Sequence, residues 1–446
     1  MKKNLLFMAA MAAGSMMMQS CSSDDVDNLD ETKVTINMLP EAKPIQLTPA
    51  QRVFANDNNG FTLRFLKTVN ETDVSGKSFI YSPLSITYVL GMVNDAATGQ
   101  TERELEQTLG FHEGGIQAVN DYCKNLIDNL PKVDKKVTLN IANAIFVNKH
   151  YRLKEQFQKD MQEYYDAQAE TLDFSSPETL GHINGWCDDK TKGMIPTILD
   201  EVDPDMASYL LNAIYFKADW ASKFDPKNTK TETFTTEKGS IDLPMMHQNV
   251  LINYKENDTY TAIKMPYGDD YWNMTVMLPK EGKTTDDVIN YLAGTVYYKT
   301  EGDPESGYYV PYEVDLKLPR FETLSDTEDL ERKDTDSPKE SGLITLLKKM
   351  GIQLAFDPFC EEICNMCELP VYPVYISMMR QKAKIKVNED GSEAAAVTVA
   401  GARGMSLGSD VRPNPKATFH ANRPFVYVIR EASSGVIIFV GKYTGE

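Results

Sequence analysis

Toward the C-terminus Lys382, Lys384 and Lys386 alternate strictly with Ala383, Ile385 and Val387, the period-two pattern of a strand with one wet and one buried face. Asn388-Glu389-Asp390-Gly391 then turns or bends the chain. From Ser392 to Ala402 the residues are small and weakly polar, and similar chemistry continues through Arg403-Gly404-Met405-Ser406-Leu407-Gly408-Ser409-Asp410 and Pro413-Asn414-Pro415. Such a stretch has too little apolar bulk to anchor itself in a core. Order resumes at Phe419, and Phe425 to Ile429 with Val436 to Val440, joined across Ser433-Ser434-Gly435, predict a buried closing hairpin. More than twenty residues of unanchored chain therefore separate buried strands, and a loop of that length is functional or disordered rather than a simple connection. Any fold for this chain must accommodate it.

The rest of the chain predicts an α+β fold. Thr48 as N-cap, Pro49 at the first helical position and Gln51 completing a capping box start a helix whose apolar face continues through Phe61, Leu63, Phe65 and Leu66. Ser82-Pro83-Leu84-Ser85 opens a second helix with Ile86, Val89, Leu90 and Val93, and Glu102 to Leu109 forms a charged amphipathic third. Ile183, Asn184 and Trp186 sit on a further helix, and Leu343 to Met350 on another. Strands are predicted at Val137 to Ile141, Asn143 to Val147, Leu210 to Phe216, Met274 to Leu278 and Val314 to Leu318. The charged, Pro- and Ser-containing segment Asp326 to Ser341 reads as loop.

Composition excludes several functions. With 46 Lys+Arg against 65 Asp+Glu in 446 residues, a net charge of −19, there is no basic footprint for nucleic acid. Gly282-Lys283-Thr284 lacks the glycine a phosphate loop needs at Met277, the five histidines form no HExxH pair, and no Gly-x-Ser-x-Gly elbow occurs. No cofactor site, metal site or catalytic constellation emerges, so the chain reads as something other than an enzyme. Cys360-x3-Cys364-x2-Cys367 lacks a fourth zinc ligand; with Cys123 and Cys187 these make an odd set, read as unpaired or structural thiols whose pairing stays open.

Lys2 and Lys3 followed by an apolar run from Leu5 to Met18 predict a signal segment over residues 1–20. Met18-Gln19-Ser20-Cys21 resembles a bacterial lipoprotein cleavage box with Cys21 as the lipid-bearing residue, and Ser22-Ser23-Asp24-Asp25 resembles the acidic signal of surface lipoproteins. An ordinary secretory signal with an incidental cysteine is the alternative. The first reading implies an exported outer-membrane lipoprotein exposed at the cell surface, touching the membrane only through its lipid, with residues 21–43 as a polar tether. No other apolar run is long enough to span a bilayer.

Four separated stretches, in order and at matching spacing, resemble the serpin family over nearly all of Pro44 to Tyr443. They are Phe79-Ile80-Tyr81-Ser82-Pro83-Leu84-Ser85, Leu211-Asn212-Ala213-Ile214-Tyr215-Phe216-Lys217-Ala218-Asp219-Trp220, Asn388-Glu389-Asp390-Gly391-Ser392-Glu393-Ala394-Ala395-Ala396, and Phe419-His420-Ala421-Asn422-Arg423-Pro424-Phe425. The resemblance implies one domain over residues 44–446, three β-sheets, eight or nine helices and an exposed reactive loop at about 390–418. It also implies a suicide inhibitor of serine, and sometimes cysteine, proteases that forms a covalent complex with its target. A non-inhibitory binding or carrier protein on the same fold is the alternative.

By resemblance, Glu389, Gly391, Ser392, Glu393, Ala394, Ala395, Ala396 and Thr398 form the hinge that inserts into the main sheet after cleavage. Ala394, Ala396 and Thr398 would face one side, Glu393, Ala395 and Val397 the other, and all of the first set are small. Ser82, Ser85 and Asn184 would lie where the sheet opens, with Gln381 at a position where the family often has histidine, and Trp220 where the hinge enters. Helix-cap serines and a core tryptophan are the plainer readings of the same residues. Counting from Glu389 puts the reactive bond at Met405-Ser406, which would suit elastase-, cathepsin- or subtilisin-like proteases; Arg403, suiting trypsin-like ones, and Leu407 are alternatives.

Overall fold

Thr48 does start the first helix, α1 (Pro49–Thr72): its hydroxyl accepts from the Gln51 amide at 3.2 Å while the Gln51 side chain accepts from the Thr48 amide at 3.2 Å. This reciprocal pairing satisfies two amides that the helix leaves without intrahelical partners. Phe54, Phe61, Phe65, Leu66 and Val69 form the buried stripe of α1. Helix α2 (Pro83–Ala96), capped by Ser82, is buried along nearly its whole length, as its apolar sequence requires. The computed structural model describes residues 43–112, 114–294, 309–331, 340–368, 373–392 and 413–446. The predicted signal segment, the tether with Cys21, and residues 393–412 lie outside them. The other helices are α3 (Gly99–Leu109), α4 (Gly115–Asn129), α5 (Glu155–Tyr165), α6 (Glu178–Lys190), α7 (Thr285–Gly294) and α8 (Gly342–Met350), eight α-helices among the described residues.

The strands are β1 (Phe79–Tyr81), β2 (Val137–Asn148), β3 (Gln168–Leu172), β4 (Ser208–Asp219), β5 (Lys230–Thr236), β6 (Gly239–Glu256), β7 (Tyr260–Tyr267), β8 (Trp272–Pro279), β9 (Val310–Pro319), β10 (Phe321–Asp326), β11 (Met378–Val387), β12 (Gly391–Ser392), β13 (Lys416–His420), β14 (Phe425–Glu431) and β15 (Ile437–Tyr443). Six of them form one sheet in the order β10-β11-β12-β4-β2-β3, with β11 also pairing β4 directly. The other nine join as β1-β15-β14-β8-β7-β6-β9-β13, with β5 on β6. Three sheets were expected, and the ladders show why two of them appear as one. The 18-residue β6 pairs with β5 through Gly239–Met245 and with β9 through Met245–Tyr254, then ends against β7 at Asn253–Glu256. One long strand thus carries hydrogen bonding from one sheet into the next. The predicted closing hairpin is β14–β15, with every residue of β14 buried.

Arg320 is the only residue between β9 and β10, so the two sheets also share a nearly continuous backbone. Asp326 corrects the sequence reading. It was assigned to a loop, but it ends β10 opposite Lys382 and is buried beneath Arg380, whose Nη2 approaches a carboxylate oxygen at 2.6 Å. Lys382 adds a contact to the same carboxylate at 3.3 Å. Its charge lies in a compensated interior site, which a composition-based loop reading cannot see; residues 332–339 of that segment lie outside the described residues. Asp326→Ala should leave the Arg380 guanidinium buried with its direct partner reduced to the exposed Asp200 and with Glu328 as the other nearby carboxylate. The expected loss is about 3 kcal/mol or more, read as a lower urea midpoint, because an uncompensated buried charge is costly.

Candidate functional site at the open end of the six-stranded sheet

Strands β4 and β11 run parallel and pair over Tyr209–Ala213 and Met378–Lys382. There their direct ladder stops. Beyond it, β4 keeps β2 as its other neighbour and β11 keeps β10, and among the described residues the facing edges of Ile214–Lys217 and Ala383–Lys386 form no ladder with each other. At the far end the two residues of β12 close the gap, with Ser392 opposite both Val387 on β11 and Ala218 on β4. Backbone groups at a sheet edge demand partners, so this opening is a template for another strand.

The entry of β12 is held from several sides. Asn388 makes the predicted turn: its side-chain oxygen accepts from the amides of Asp390 and Gly391 at 3.0 and 3.3 Å. Gly391 sits at φ +154°, and a Cβ there would approach the Ala218 carbonyl oxygen to 2.1 Å, so only glycine fits this passage. Trp220 is buried, stacks on Tyr267 at 4.3 Å between centroids, and donates from its indole to the Asn388 carbonyl at 2.9 Å. Its backbone amide donates to the Asp390 carbonyl at 2.7 Å. The Tyr267 and Ser392 hydroxyls share a hydrogen bond of 2.6 Å. Glu389 is buried and takes two bonds from Arg320 Nε, each 2.7 Å, plus one from the Thr229 hydroxyl. Burial alone would raise the Glu389 carboxyl; the bonds from Arg320 and Thr229 outweigh it and hold the group below its ordinary value. Lys223 bridges Asp219 at 2.9 Å and Asp390 at 3.2 Å.

At the closed end a buried polar cluster crosses the sheet. Gln381 is fully buried; its amide accepts from the Ser82 amide at 2.9 Å and donates to the Ser82 carbonyl at 3.0 Å and to Asn212 Oδ1 at 3.1 Å. Asn212 in turn donates to Asn143 at 2.8 Å, and Ser82 Oγ donates to Ser85 Oγ at 3.1 Å. Gln381 has both a donor and an acceptor here, and its three bonds staple α2, β4 and β11 together. Asn184 lies apart from this cluster. From α6 it accepts from the amides of Ile198 and Leu199 at 2.8 and 2.9 Å and so fixes the segment before Asp200. The asparagine that joins Ser82 and Gln381 is Asn212. It was quoted within the Leu211–Trp220 motif, but polarity inside a buried strand was its only signal. Arg320, Thr229 and Tyr267 were also missed, because they come from other strands and no local pattern marks them.

Of the residues expected to form the hinge, Glu389, Gly391 and Ser392 lie within the described residues. Glu393 to Thr398, and Arg403, Met405, Ser406 and Leu407, lie outside them. The five cysteines from Cys123 onward are free thiols; burial pushes Cys187 and Cys367 up to about 12.

A family model described as serpin (serine protease inhibitor) matches residues 56–445. The chain belongs to the serpin family. A serpin-like protein of Thermococcus kodakarensis is 28% identical over 423 residues, covering 94% of this chain and 90% of its own. Human Serpin B11 is also 28% identical, covering 86% of this chain and 97% of its own. Among solved structures, the native state of the thermophilic serpin tengpin superposes with TM-score 0.74 at 23% identity, covering 91% of this chain and 98% of its own. Human thyroxine-binding globulin complexed with thyroxine gives 0.72 at 26% identity, covering 88% and 97%. Serpins are generally protease inhibitors rather than enzymes, and these relatives include a thyroxine-binding globulin.

Glu389→Gln should destabilise the serpin fold by about 1.5–3 kcal/mol near neutral pH, since the bonds from Arg320 lose their anionic acceptor. The carboxyl is depressed in the folded state, so its contribution is complete above the ordinary glutamate pKa of about 4.3 and is lost as pH falls through the folded value. Urea midpoints of wild type and variant should therefore differ most at about pH 6 and converge below about pH 4.

Proposed function

We propose that this serpin is a suicide-substrate inhibitor of serine proteases, held at the outside of the cell by a lipid on Cys21. The observation that carries the reading is the position of β12, which pairs with β4 through both its residues and with β11 through Ser392, where the ladder between β4 and β11 has ended. A protease attacks Met405-Ser406: its serine oxygen bonds to the Met405 carbonyl carbon, the Met405–Ser406 amide breaks, and the new amine of Ser406 leaves with a proton. Met405 remains esterified to the enzyme, and the segment from Ser392 to Met405 is free to move. A strand of about ten residues gaining a net ~1 kcal/mol per backbone hydrogen bond supplies on the order of 10 kcal/mol. That is enough to carry the protease along and distort its active site.

Extending the β12 register along the opening gives each hinge residue a neighbour on both sides. Ala394 falls between Ile385 and Phe216, Ala396 between Ala383 and Ile214, and Thr398 between Gln381 and Asn212. The first two neighbourhoods are buried and apolar, where only small side chains fit, and the third is the polar cluster, where a hydroxyl finds partners. On the other face Glu393 falls between Lys386 and Lys217. Sequence and slot therefore agree position by position. A carrier of small molecules is the second reading, favoured by the 26% identity to thyroxine-binding globulin; it leaves this agreement unused.

Incubation with elastase-, subtilisin- and trypsin-like proteases should yield complexes that survive boiling in detergent, with a C-terminal peptide beginning at Ser406, or at Gly404 if Arg403 is the target residue. Only cleaved chain and active protease, with no gain in thermal midpoint on cleavage, would favour the carrier. Ala394→Arg or Ala396→Arg should place an unpaired charge toward the interior, at several kcal/mol. The number of inhibitor molecules consumed per protease should rise while the initial cleavage rate stays unchanged. Cys21→Ala should release the protein from membranes, and an unmodified Cys21 in the mature wild type would end the anchor assignment.

A further inference from the structure

β13, the strand that follows the loop, is the last strand of its sheet and pairs with β9 alone among the described residues, over Lys416–His420 and Glu313–Lys317. Such a short edge strand has only one ladder to hold it. Side chains supplement it. His420 on β13 and His247 on β6 both stand opposite Lys317 of β9, one from each side. Both Nε2 atoms turn one row along to the same carboxylate: His247 reaches Asp315 Oδ1 at 2.7 Å and His420 reaches Oδ2 at 3.0 Å. One carboxylate thus ties three strands together, using one oxygen for each imidazole. Among the described residues no group of three or more His, Cys, Asp or Glu side chains is arranged to hold a metal, so the triplet is an ion-pairing cluster.

We propose that His247, Asp315 and His420 form a proton-operated latch that holds β13 on the sheet more tightly at mildly acidic pH than at alkaline pH. An imidazolium donating to a carboxylate makes a stronger bond than a neutral ring does, and histidine changes charge between about pH 5 and 8. Peeling β13 away removes His420 from Asp315, so protonation favours the latched arrangement. Charged neighbours permit this. Lys317 would oppose two imidazolium ions, but its ammonium is paired with both oxygens of Glu232 on β5, at 2.9 and 2.7 Å. In the next row Glu313 pairs with Lys416 at 3.7 Å. Burial would raise the Asp315 carboxyl, but the bonds from the two histidines hold it below its ordinary value, so the acceptor stays ionised across this interval.

Under the inhibitor reading the latch has a purpose, because release of β13 would let the uncut loop enter the opening and spend the inhibitor. Hydrogen exchange of the β13 amides in the full chain, expressed as protection factors corrected for intrinsic rates, tests the latch without any protease. The one half-exposed ion pair lost when β13 leaves corresponds to about a two- to fivefold effect. Protection in the wild type should therefore be higher by that factor at about pH 5.5 than at about pH 7.5. Asp315→Asn and, separately, His420→Gln should bring the ratio to about one, with protection in β15 unchanged as the control for folding. Equal wild-type protection at both pH values, or a ratio that persists in both variants, would overturn the proposal. If the latch responds to pH but no protease is trapped, the latch stands and the inhibitor reading falls.

Discussion

The molecule is organised by two parallel strands that meet along only part of their length. β4 and β11 share hydrogen bonds from Tyr209/Met378 to Ala213/Lys382, and past that point, among the described residues, each is paired on its outer edge only, until β12 closes the far end. A sheet open in its middle is unusual because backbone groups demand partners, and no other described strand supplies them there. The six-stranded sheet stores that deficit. Under the proposed inhibitor reading, the polar groups around it would keep the opening from being filled prematurely and hold the chain that fills it.

Two polar assemblies at opposite ends of the opening divide this work. At the closed end, Gln381 bonds to Ser82 and Asn212 in a site without water access, where separating the strands would strip partners from several buried groups at once. This resists spreading from below. At the open end the restraint acts on the entering chain: Arg320 and Thr229 hold Glu389, Trp220 holds Asn388 and Asp390, and Tyr267 holds Ser392. The first assembly sets how hard the sheet is to part, the second where a new strand must begin.

Much of this was legible in the sequence, for physical reasons that differ by residue. The Thr48 capping box and the buried β14–β15 hairpin follow from local chemistry, and both are present in the structure. The Asn388–Gly391 turn was legible because Asn and Gly have few alternative uses at such spacing. What stayed hidden is what depends on distant partners. Asp326 looked like part of a charged loop because its compensating Arg380 is 54 residues away. The merging of two sheets was hidden because nothing in β6 announces where one set of partners ends and another begins. Asn184 and Asn212 show the limit most directly. Both are asparagines in apolar surroundings, and only coordinates reveal which one faces Gln381.

The opening and the loop anchors also share one mechanical reference, the run from Val310 to Asp326. β9 carries β13 and so fixes the chain after the loop; Arg320, directly after β9, binds Glu389 and so fixes the chain before it. β10 then pairs with β11, which is one wall of the opening. Both ends of the loop and one side of its destination are therefore set by a single stretch of backbone. While the chain is intact, the loop cannot advance into the opening beyond what its slack allows, because β13 would have to leave β9 first. Cutting the peptide bond removes that tether without disturbing β9, β10 or Arg320. Under the proposed inhibitor reading, the same covalent event that joins a protease to the chain would be the one that releases the strand, and the two would need no further signal to be coupled.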